Sequence, residues 1–352
     1  PSKSPFCKGG NKAASWSETV HQEYRLPGLW LSRQGRLPYY DPVGPASAPV
    51  TKSEPYSPAF QEMSTVLLQA IINGLLLGGV YAAYSAGFSL IFGVMGVVNL
   101  AHGELVMLGA FTSYWMFAYL NIDPYWTIPF AMGLLFVFGY LVQKYIINRV
   151  IEQPHIMSYI LTFGIHLMVA NLAVKLWTRD FRSVTTSYSG LNAAFWGLNV
   201  PLSRLITFCL AILVIALLWF FLARTETGRA IRATSMDKDV ARLMGVNIRE
   251  IYAITFGIGA AVTGLAGASM SPFVIIFPEM GLQYTIIAFC VVVLGGMGYM
   301  PGALWGALIL GVAQSLTATY LNAGLSVAIT FLILFFMLIF RPTGIVGKGL
   351  VT

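Results

Sequence analysis

The chain has 352 residues, of which 57% are hydrophobic and 10% are charged. About a quarter of the residues of an average soluble domain are charged, so a soluble domain of this length could not bury so much apolar surface. Lipid is therefore the expected solvent for most of the chain, and the net charge of +7 indicates basic cytoplasmic loops rather than nucleic-acid binding. The three cysteines and four histidines show no spacing typical of a disulfide framework or a metal site.

Residues 1–62 differ from the rest of the chain because they hold nine of the 17 prolines and no long apolar run. This composition cannot form a hydrophobic core, so we predict a disordered N-terminal extension. Met63 is the first methionine, and apolar sequence follows it almost at once. We expect the working protein to begin at or near Met63, with residues 63–352 as its transmembrane domain. A genuine tail that binds a partner is the alternative.

Apolar stretches long enough to cross a membrane follow one another after Met63. The first and the seventh are too long for one simple crossing, so each is either two helices or one crossing with a re-entrant segment. We predict an all-α integral membrane protein, a polytopic bundle of about eight to ten transmembrane helices with some broken or re-entrant segments. The stretches lie near residues 66–98, 104–120, 126–147, 156–177, 203–223, 251–275, 284–318 and 324–340.

Basic residues cluster in three segments, and basic residues favour the cytoplasmic side of a membrane. All three segments can be cytoplasmic if the stretches 156–177 and 203–223 form an outward hairpin. The loop between them, residues 178–202, then faces outward although it carries two arginines. The three basic segments are residues 144–149, 224–249 and 341–348.

Nine of the 23 charged residues after Met63 lie in one short segment, residues 225–251. Ser235 is predicted to cap a helix, with Asp237 and Asp239 in the first turn, where carboxylates favour the helix dipole. The segment is therefore expected to contain a short cytoplasmic helix between two membrane spans.

The predicted helix is amphipathic, because Val240, Leu243 and Met244 fall at positions i, i+3 and i+4. Gly245 is expected to end it. An apolar stripe of this kind is typical of a helix that docks into the groove of a soluble partner. The alternative is that the stripe packs against neighbouring membrane helices.

Three polar residues, Asn99, His102 and Glu104, interrupt the apolar run of residues 92–104, which also contains three glycines. Polar groups buried in lipid are costly and often functional, and helix breaks can aim backbone groups at a translocation path. We interpret the three residues as candidates that line or gate such a path. Alternatively, Glu104 begins the next helix at the membrane interface and His102 is an interfacial histidine.

Small residues recur at a spacing that lets helices approach closely. Gly298, Gly302 and Gly306 are separated by four residues each, and residues 260–268 repeat the pattern. We predict helix packing there. The single histidine of an apolar stretch, His166, is expected to be a hydrogen-bonded packing residue.

The residues Asp239, Val240 and Ala241, followed by Gly245, resemble the E-A-A-x-x-x-G coupling loop of ABC importer permeases. With the blocks around it, this motif makes the chain from Met63 onward similar to the membrane subunits of branched-chain amino-acid ABC importers, the hydrophobic amino-acid uptake family. The supporting blocks are IINGLLLGGVYA (71–82), SLIFGVMGVVNLAHGELVMLGA (89–110), GRAIRA (228–233), ITFGIGAAVTGLAGA (254–268), VVVLGGMGYMPGALWGALILG (291–311) and FRPTGIVGKG (340–349).

The resemblance implies a multi-pass permease of the bacterial cytoplasmic (inner) membrane that carries branched-chain or other hydrophobic amino acids. It implies no catalytic site and no cofactor on this chain. ATP and Mg would be bound by two cytoplasmic ABC ATPase subunits, beside a second permease subunit and an extracytoplasmic substrate-binding protein. The turn at 271–284 could receive that binding protein or be a plain loop. The implied ATPase-docking residues of the coupling loop 224–250 are Gly228, Arg229, Arg232, Asp237, Asp239, Val240, Ala241, Leu243, Met244 and Gly245.

The sequence leaves other functions open. A permease for urea or short amides would share the same motifs. An ion-coupled secondary carrier needs ionisable groups near the membrane centre, and the acidic residues fall at or near segment ends. An intramembrane enzyme is disfavoured because no G-x-S-x-G motif is present, and the absence of a G-x-x-x-x-G-K-[ST] loop agrees with a permease that binds no ATP itself. The acidic residues considered are Glu104, Asp123, Glu152, Asp180 and Glu279.

Overall fold

The computed structural model describes residues 58–195, 198–341 and 343–345. The described part is mainly α-helical, as the sequence predicts, with one short β-hairpin that the sequence analysis did not predict. Its helices are α1 (Pro58–Met95), α2 (His102–Leu120), α3 (Ile128–Tyr145), α4 (His155–Trp177), α5 (Leu202–Arg224), α6 (Glu226–Met236), α7 (Lys238–Leu243), α8 (Ile248–Met270), α9 (Gly281–Gly295), α10 (Met300–Tyr320) and α11 (Leu325–Phe340), with a 3₁₀ turn (Ile147–Arg149) and strands β1 (Asn192–Phe195) and β2 (Leu198–Pro201).

The predicted N-terminal extension lies mostly outside the described residues, which begin at residue 58. Residues 58–62, which the sequence analysis assigned to that extension, form the first turns of α1 instead. The helix therefore starts before the predicted boundary at Met63. The first residues of a helix can be polar and precede its apolar stretch. Hydrophobicity alone therefore places the start of such a helix too late.

The two apolar stretches that are too long for one membrane crossing have different structures. The first is one continuous helix of 38 residues, so the suggestion that it splits is wrong for α1. The seventh does split, into α9 and α10. The turn between them contains Gly296 and Gly298, both with positive φ angles (105° and 81°), and Pro301 occupies the first turn of α10. Glycine adopts this backbone conformation without strain, whereas other residues do not.

Six helices of the described part are long and apolar enough to cross a membrane, namely Met63–Met95, Ile128–Arg149, Ile156–Trp177, Leu202–Arg224, Ile248–Met270 and Met300–Tyr320. Two shorter apolar helices, α9 and α11, follow in the C-terminal half. A chain with this many apolar helices is polytopic.

Helix α8 lies at the centre of the bundle and is buried along most of its length. It packs against α1, α2 and α3. Small residues make this possible, because a methyl group added at Gly87 or Gly109 would collide with the carbonyl oxygen of Gly259 or Gly264. The backbones of α1 and α2 therefore lie directly on the backbone of α8.

Two groups of connecting segments lie at opposite ends of the bundle. At one end, here called the basic end, Lys144 lies 3.5 Å from Glu250, and Asn148 donates to the carbonyl oxygen of Arg249. Two of the predicted basic segments thus meet. At the other end, the backbone of Arg182 pairs with that of Ile276, which joins the 178–201 segment to the turn after α8. Of the third basic segment, residues 346–348 lie outside the described part.

Candidate functional site

The charged segment at the basic end forms two helices rather than one. Thr225 caps α6 by accepting a hydrogen bond from the backbone N–H of Gly228. The predicted cap at Ser235 is wrong, because this residue lies in the last turn of α6 and donates to the carbonyl oxygen of Arg232. Asp237 caps α7 instead, and its Oδ1 accepts from the N–H groups of Asp239 and Val240 at 2.8 Å and 3.0 Å. Ser235 and Asp237 both lie near the start of α7 and are both residue types that cap helices, so the local sequence alone does not show which of them is the cap.

The apolar stripe of α7 faces away from the rest of the described chain. Leu243 and Met244 are 87% and 80% exposed, whereas Ala241 on the opposite face is 4% exposed. The alternative that this stripe packs against membrane helices of the same chain is therefore wrong. Helix α7 ends as predicted before Gly245, whose φ angle is +86°.

Three of the other predicted docking residues lie on α6, the helix that precedes this stripe. Gly228 packs against the backbone of α5, so that an added Cβ would stand 2.5 Å from the carbonyl oxygen of Phe221. Arg229 lies 3.5 Å from Glu226, and Arg232 is exposed. The sequence analysis missed Met236, which is 86% exposed at the end of α6. A large apolar residue beside a polar helix cap is the signal that could have identified it.

The second candidate region is the break between α1 and α2, residues 96–101. Gly96 has a φ angle of +66° and closes the end of α1. Asn99 then caps the turn, because its Oδ1 accepts from the N–H of Ala101 and its carbonyl oxygen accepts from that of His102. Asn99, His102 and Glu104 are all buried.

His102 is completely buried within the described chain. Its Nε2 lies 2.9 Å from the carbonyl oxygen of Tyr84 and 3.2 Å from Oγ1 of Thr263. Its ring packs edge-on against Phe88. His102 therefore ties the start of α2 to α1 and α8.

Glu104 lies in the first turn of α2, as one of the two interpretations held, and it is buried within the described chain. Its Oε1 lies 2.8 Å from Nδ1 of His166, at the middle of α4. Gly281 at the start of α9 leaves room for the carboxyl group, since an added Cβ would overlap it. Glu104 thus joins three helices, and His166 is a buried, hydrogen-bonded residue, as the sequence analysis expected.

A small cavity of about 10 Å³ lies beside this pair, and Asn99 and Glu104 contribute to its lining. Nδ2 of Asn99 and Oε2 of Glu104 have no hydrogen-bond partner among the described residues. The space is sufficient for about one water molecule, which polar groups of this kind hold well. On the other side of the break, an apolar cavity of about 510 Å³ is lined by residues that include Val98, Leu100 and Phe289.

The glycines predicted to pack helices fall into two groups. Gly302 and Gly306 lie on α10 and contact the backbone of α9, where added Cβ atoms would collide with Gly295 and Val291. Gly298 precedes α10 and belongs to the turn, so the regular spacing of the three glycines does not reflect one helix face. Within residues 58–195, 198–341 and 343–345, no three His, Cys, Asp or Glu residues form a group that could hold a metal ion.

The fold and these two regions define a polytopic α-helical membrane protein of the transport permease class, with a break between its first two helices and an exposed amphipathic helix at one end. A model of the family described as "Branched-chain amino acid transport system / permease component" matches residues 70–340. The chain belongs to this family.

Two relatives show how far the similarity extends. The high-affinity branched-chain amino acid transport system permease protein LivH of Salmonella typhimurium is 30% identical over 301 residues, which cover 82% of this chain and 97% of the relative. The corresponding protein BraD of Pseudomonas aeruginosa is 32% identical over 298 residues, covering 80% and 96%.

Proposed function

We propose that the chain is the permease subunit of an ABC importer that carries branched-chain or other hydrophobic amino acids across the bacterial inner membrane. The names of its relatives LivH and BraD, together with the family, support this substrate class. In this proposal a second permease subunit completes the path, two ATPase subunits bind and hydrolyse ATP with Mg, and an extracytoplasmic protein delivers the substrate.

The observation that carries the proposal is the exposed apolar face of α7. Leu243 and Met244 are large, apolar and almost fully exposed at the basic end of the bundle. An exposed apolar helix face flanked by charges is a suitable surface for docking into a groove of another protein. The ATPase is the partner expected on this side. The proposed docking surface consists of Met236 and the exposed residues among the ten predicted from the sequence, whereas Gly228 and Ala241 are buried and support that surface from within the chain.

The break between α1 and α2 is proposed as the gate of the translocation path. Asn99, His102 and Glu104 are buried within the chain, so they would act by holding or releasing the break rather than by contacting solute in this conformation. The large cavity beside the break is lined almost entirely by apolar side chains, a surface that suits an aliphatic side chain.

The first experiment is the purification of the tagged full chain in mild detergent from its native host. We expect an ATPase and a second permease to copurify in stoichiometric amounts, with ATP hydrolysis in the complex. Binding of leucine, isoleucine, valine and urea to the associated extracytoplasmic protein then identifies the substrate. A homogeneous chain without ATPase, under conditions that preserve known ABC complexes, would contradict the proposal.

A further inference from the structure

Helix α4 is held to the rest of the described chain along one narrow stripe. Its other side is lined by exposed apolar residues such as Ile160, Leu167 and Leu172. A helix attached along one stripe can shift relative to the bundle at a lower cost than a helix buried on all sides, because few packed contacts must be broken. The buried stripe consists of Ser158, Thr162, Ile165, His166, Val169 and Ala173.

Two polar contacts attach the middle of α4 to the break between α1 and α2 and to the first turn of α2 that follows the break. Oγ1 of Thr162 accepts a hydrogen bond from the N–H of Leu100, and Nδ1 of His166 lies 2.8 Å from Oε1 of Glu104. The two α4 residues are four apart and therefore lie on the same face. A displacement of α4 would act on the break at both points.

The start of α4 is attached to the docking helix at the basic end. Glu152 precedes α4 by three residues, and the N-cap residue Pro154 has a restricted φ angle that stiffens the connection. Oε1 of Glu152 lies 3.8 Å from Nη2 of Arg242 in α7 and 3.5 Å from Nη2 of Arg249 in α8. One carboxylate thus contacts the helices on both sides of Gly245.

We propose that α4 transmits movement of the docking helix α7 to the break between α1 and α2, with Glu152 and His166 as the positioning residues at its two points of attachment. The proposal rests on the proposed function, since it requires an ATPase that moves α7. Exposed ion pairs contribute little to stability. The role of Glu152 is therefore to fix the position of α4 relative to α7 and α8 rather than to stabilise the fold.

The test uses the complete complex reconstituted in liposomes, with amino-acid uptake and ATP hydrolysis measured on the same sample. We expect Glu152→Arg to leave ATPase binding and ATP hydrolysis unchanged and to lower the ratio of uptake to hydrolysis by about tenfold, within the usual range for coupling between two sites. Adding Arg242→Glu and Arg249→Glu should restore much of the ratio, because the opposite charges face each other again.

Glu250→Gln is the matched control for this experiment. It removes the ion pair between Glu250 and Lys144, which is 3.5 Å long and joins α8 to α3. The amide oxygen of glutamine can still accept the hydrogen bond from Oη of Tyr140. We expect its uptake ratio to equal that of the wild type. If Glu152→Arg instead loses ATPase binding, Glu152 belongs to the docking surface itself and the positioning role is wrong.

His166 tests the other end of α4. His166→Gln keeps a hydrogen-bond donor for Glu104 and should retain more of the uptake ratio than a variant without one. Because His166→Leu alone leaves a buried carboxyl group without its partner and can prevent folding, the double variant Glu104→Gln/His166→Leu is used. We expect it to assemble and hydrolyse ATP while its uptake ratio falls by about tenfold.

The results separate the two proposals. If no ATPase binds the wild-type chain, the proposed function is wrong and the coupling role with it. If the wild-type complex transports and the assembled Glu152 and His166 variants keep the wild-type ratio, only the coupling role is wrong. Should Glu152→Arg fail to fold into the membrane, the uptake ratio of the double variant Glu104→Gln/His166→Leu decides.

Discussion

Gly103 of α2 lies so close to Gly281 of α9 that a methyl group on Gly103 would overlap the carbonyl oxygen of Gly281. The N–H of Gly103 also donates to Oγ1 of Thr285, one turn further along α9, at 2.8 Å. The start of α2 therefore rests on the backbone of α9, and the Glu104 carboxyl group next to it occupies the remaining space. Glycine at this position is a packing requirement of the break.

Gly103→Ala should destabilise the protein, because the added methyl group forces the two helix backbones apart. Overpacking of this kind costs about 1–3 kcal/mol, and backbone is less able to move than a side chain. The measurement is the thermal unfolding midpoint of the purified chain in detergent. Gly133→Ala is the control, since its Cβ would meet no atom within 4 Å. Equal midpoints for Gly103→Ala and wild type would contradict the close contact.

Leu243→Glu should weaken ATPase binding without unfolding the permease. The residue is 87% exposed, so its substitution removes little packing within this chain. Because a central interface anchor contributes about 2 kcal/mol or more, we expect affinity for the ATPase to fall by roughly thirtyfold. Titration of the purified ATPase onto the permease in detergent measures this, with Leu243→Met as the apolar control.

Asp239→Arg and Gly245→Leu test the same surface through charge and through the backbone. Both should abolish uptake while the protein remains in the membrane, the second because leucine is strained at a φ angle of +86°. Uptake by intact cells is compared with the amount of permease in the membrane fraction. Normal uptake by both variants would defeat the docking proposal.

Asp237→Ala should loosen α7, because two backbone N–H groups lose the side-chain oxygen that caps them. Loss of an N-cap costs about 1 kcal/mol of helix stability. Amide hydrogen exchange across residues 239–243 measures the change, and it should become faster in Asp237→Ala but stay near wild type in Asp237→Asn. Unchanged exchange in the alanine variant would show that the cap contributes nothing.

Gln314 links three helices through buried hydrogen bonds. Oη of Tyr81 in α1 donates to its Oε1 at 2.5 Å, and its Nε2 donates to Oγ1 of Thr330 in α11. Gln314→Leu leaves the Tyr81 hydroxyl group unpaired, at a cost of about 1–3 kcal/mol. Adding Tyr81→Phe should recover part of the lost unfolding midpoint. If the double variant is less stable than the single one, the hydrogen bond is not the cause.

The sequence predicted the features that depend on local composition and period. The apolar runs located most helices, but the place where the seventh stretch splits, at Gly296 and Gly298, was not predicted. The period of Val240, Leu243 and Met244 located α7, and Gly245 indicated its end. Ser235 was assigned wrongly as the cap because Ser235 and Asp237 are both good cap residues. Their roles differ only because α6 continues through Ser235.

By itself, the sequence determined that lipid surrounds most of this chain and that the chain crosses the membrane several times. It also determined that a short amphipathic helix lies within the charged segment, residues 225–251. These properties follow from composition and from spacing within one turn or span. Only the tertiary structure decided that Glu104 meets His166, 62 residues away, and that Leu243 faces outward. The physical reason is that a buried polar group takes whichever partner helix packing brings within reach, and no local pattern encodes that distance.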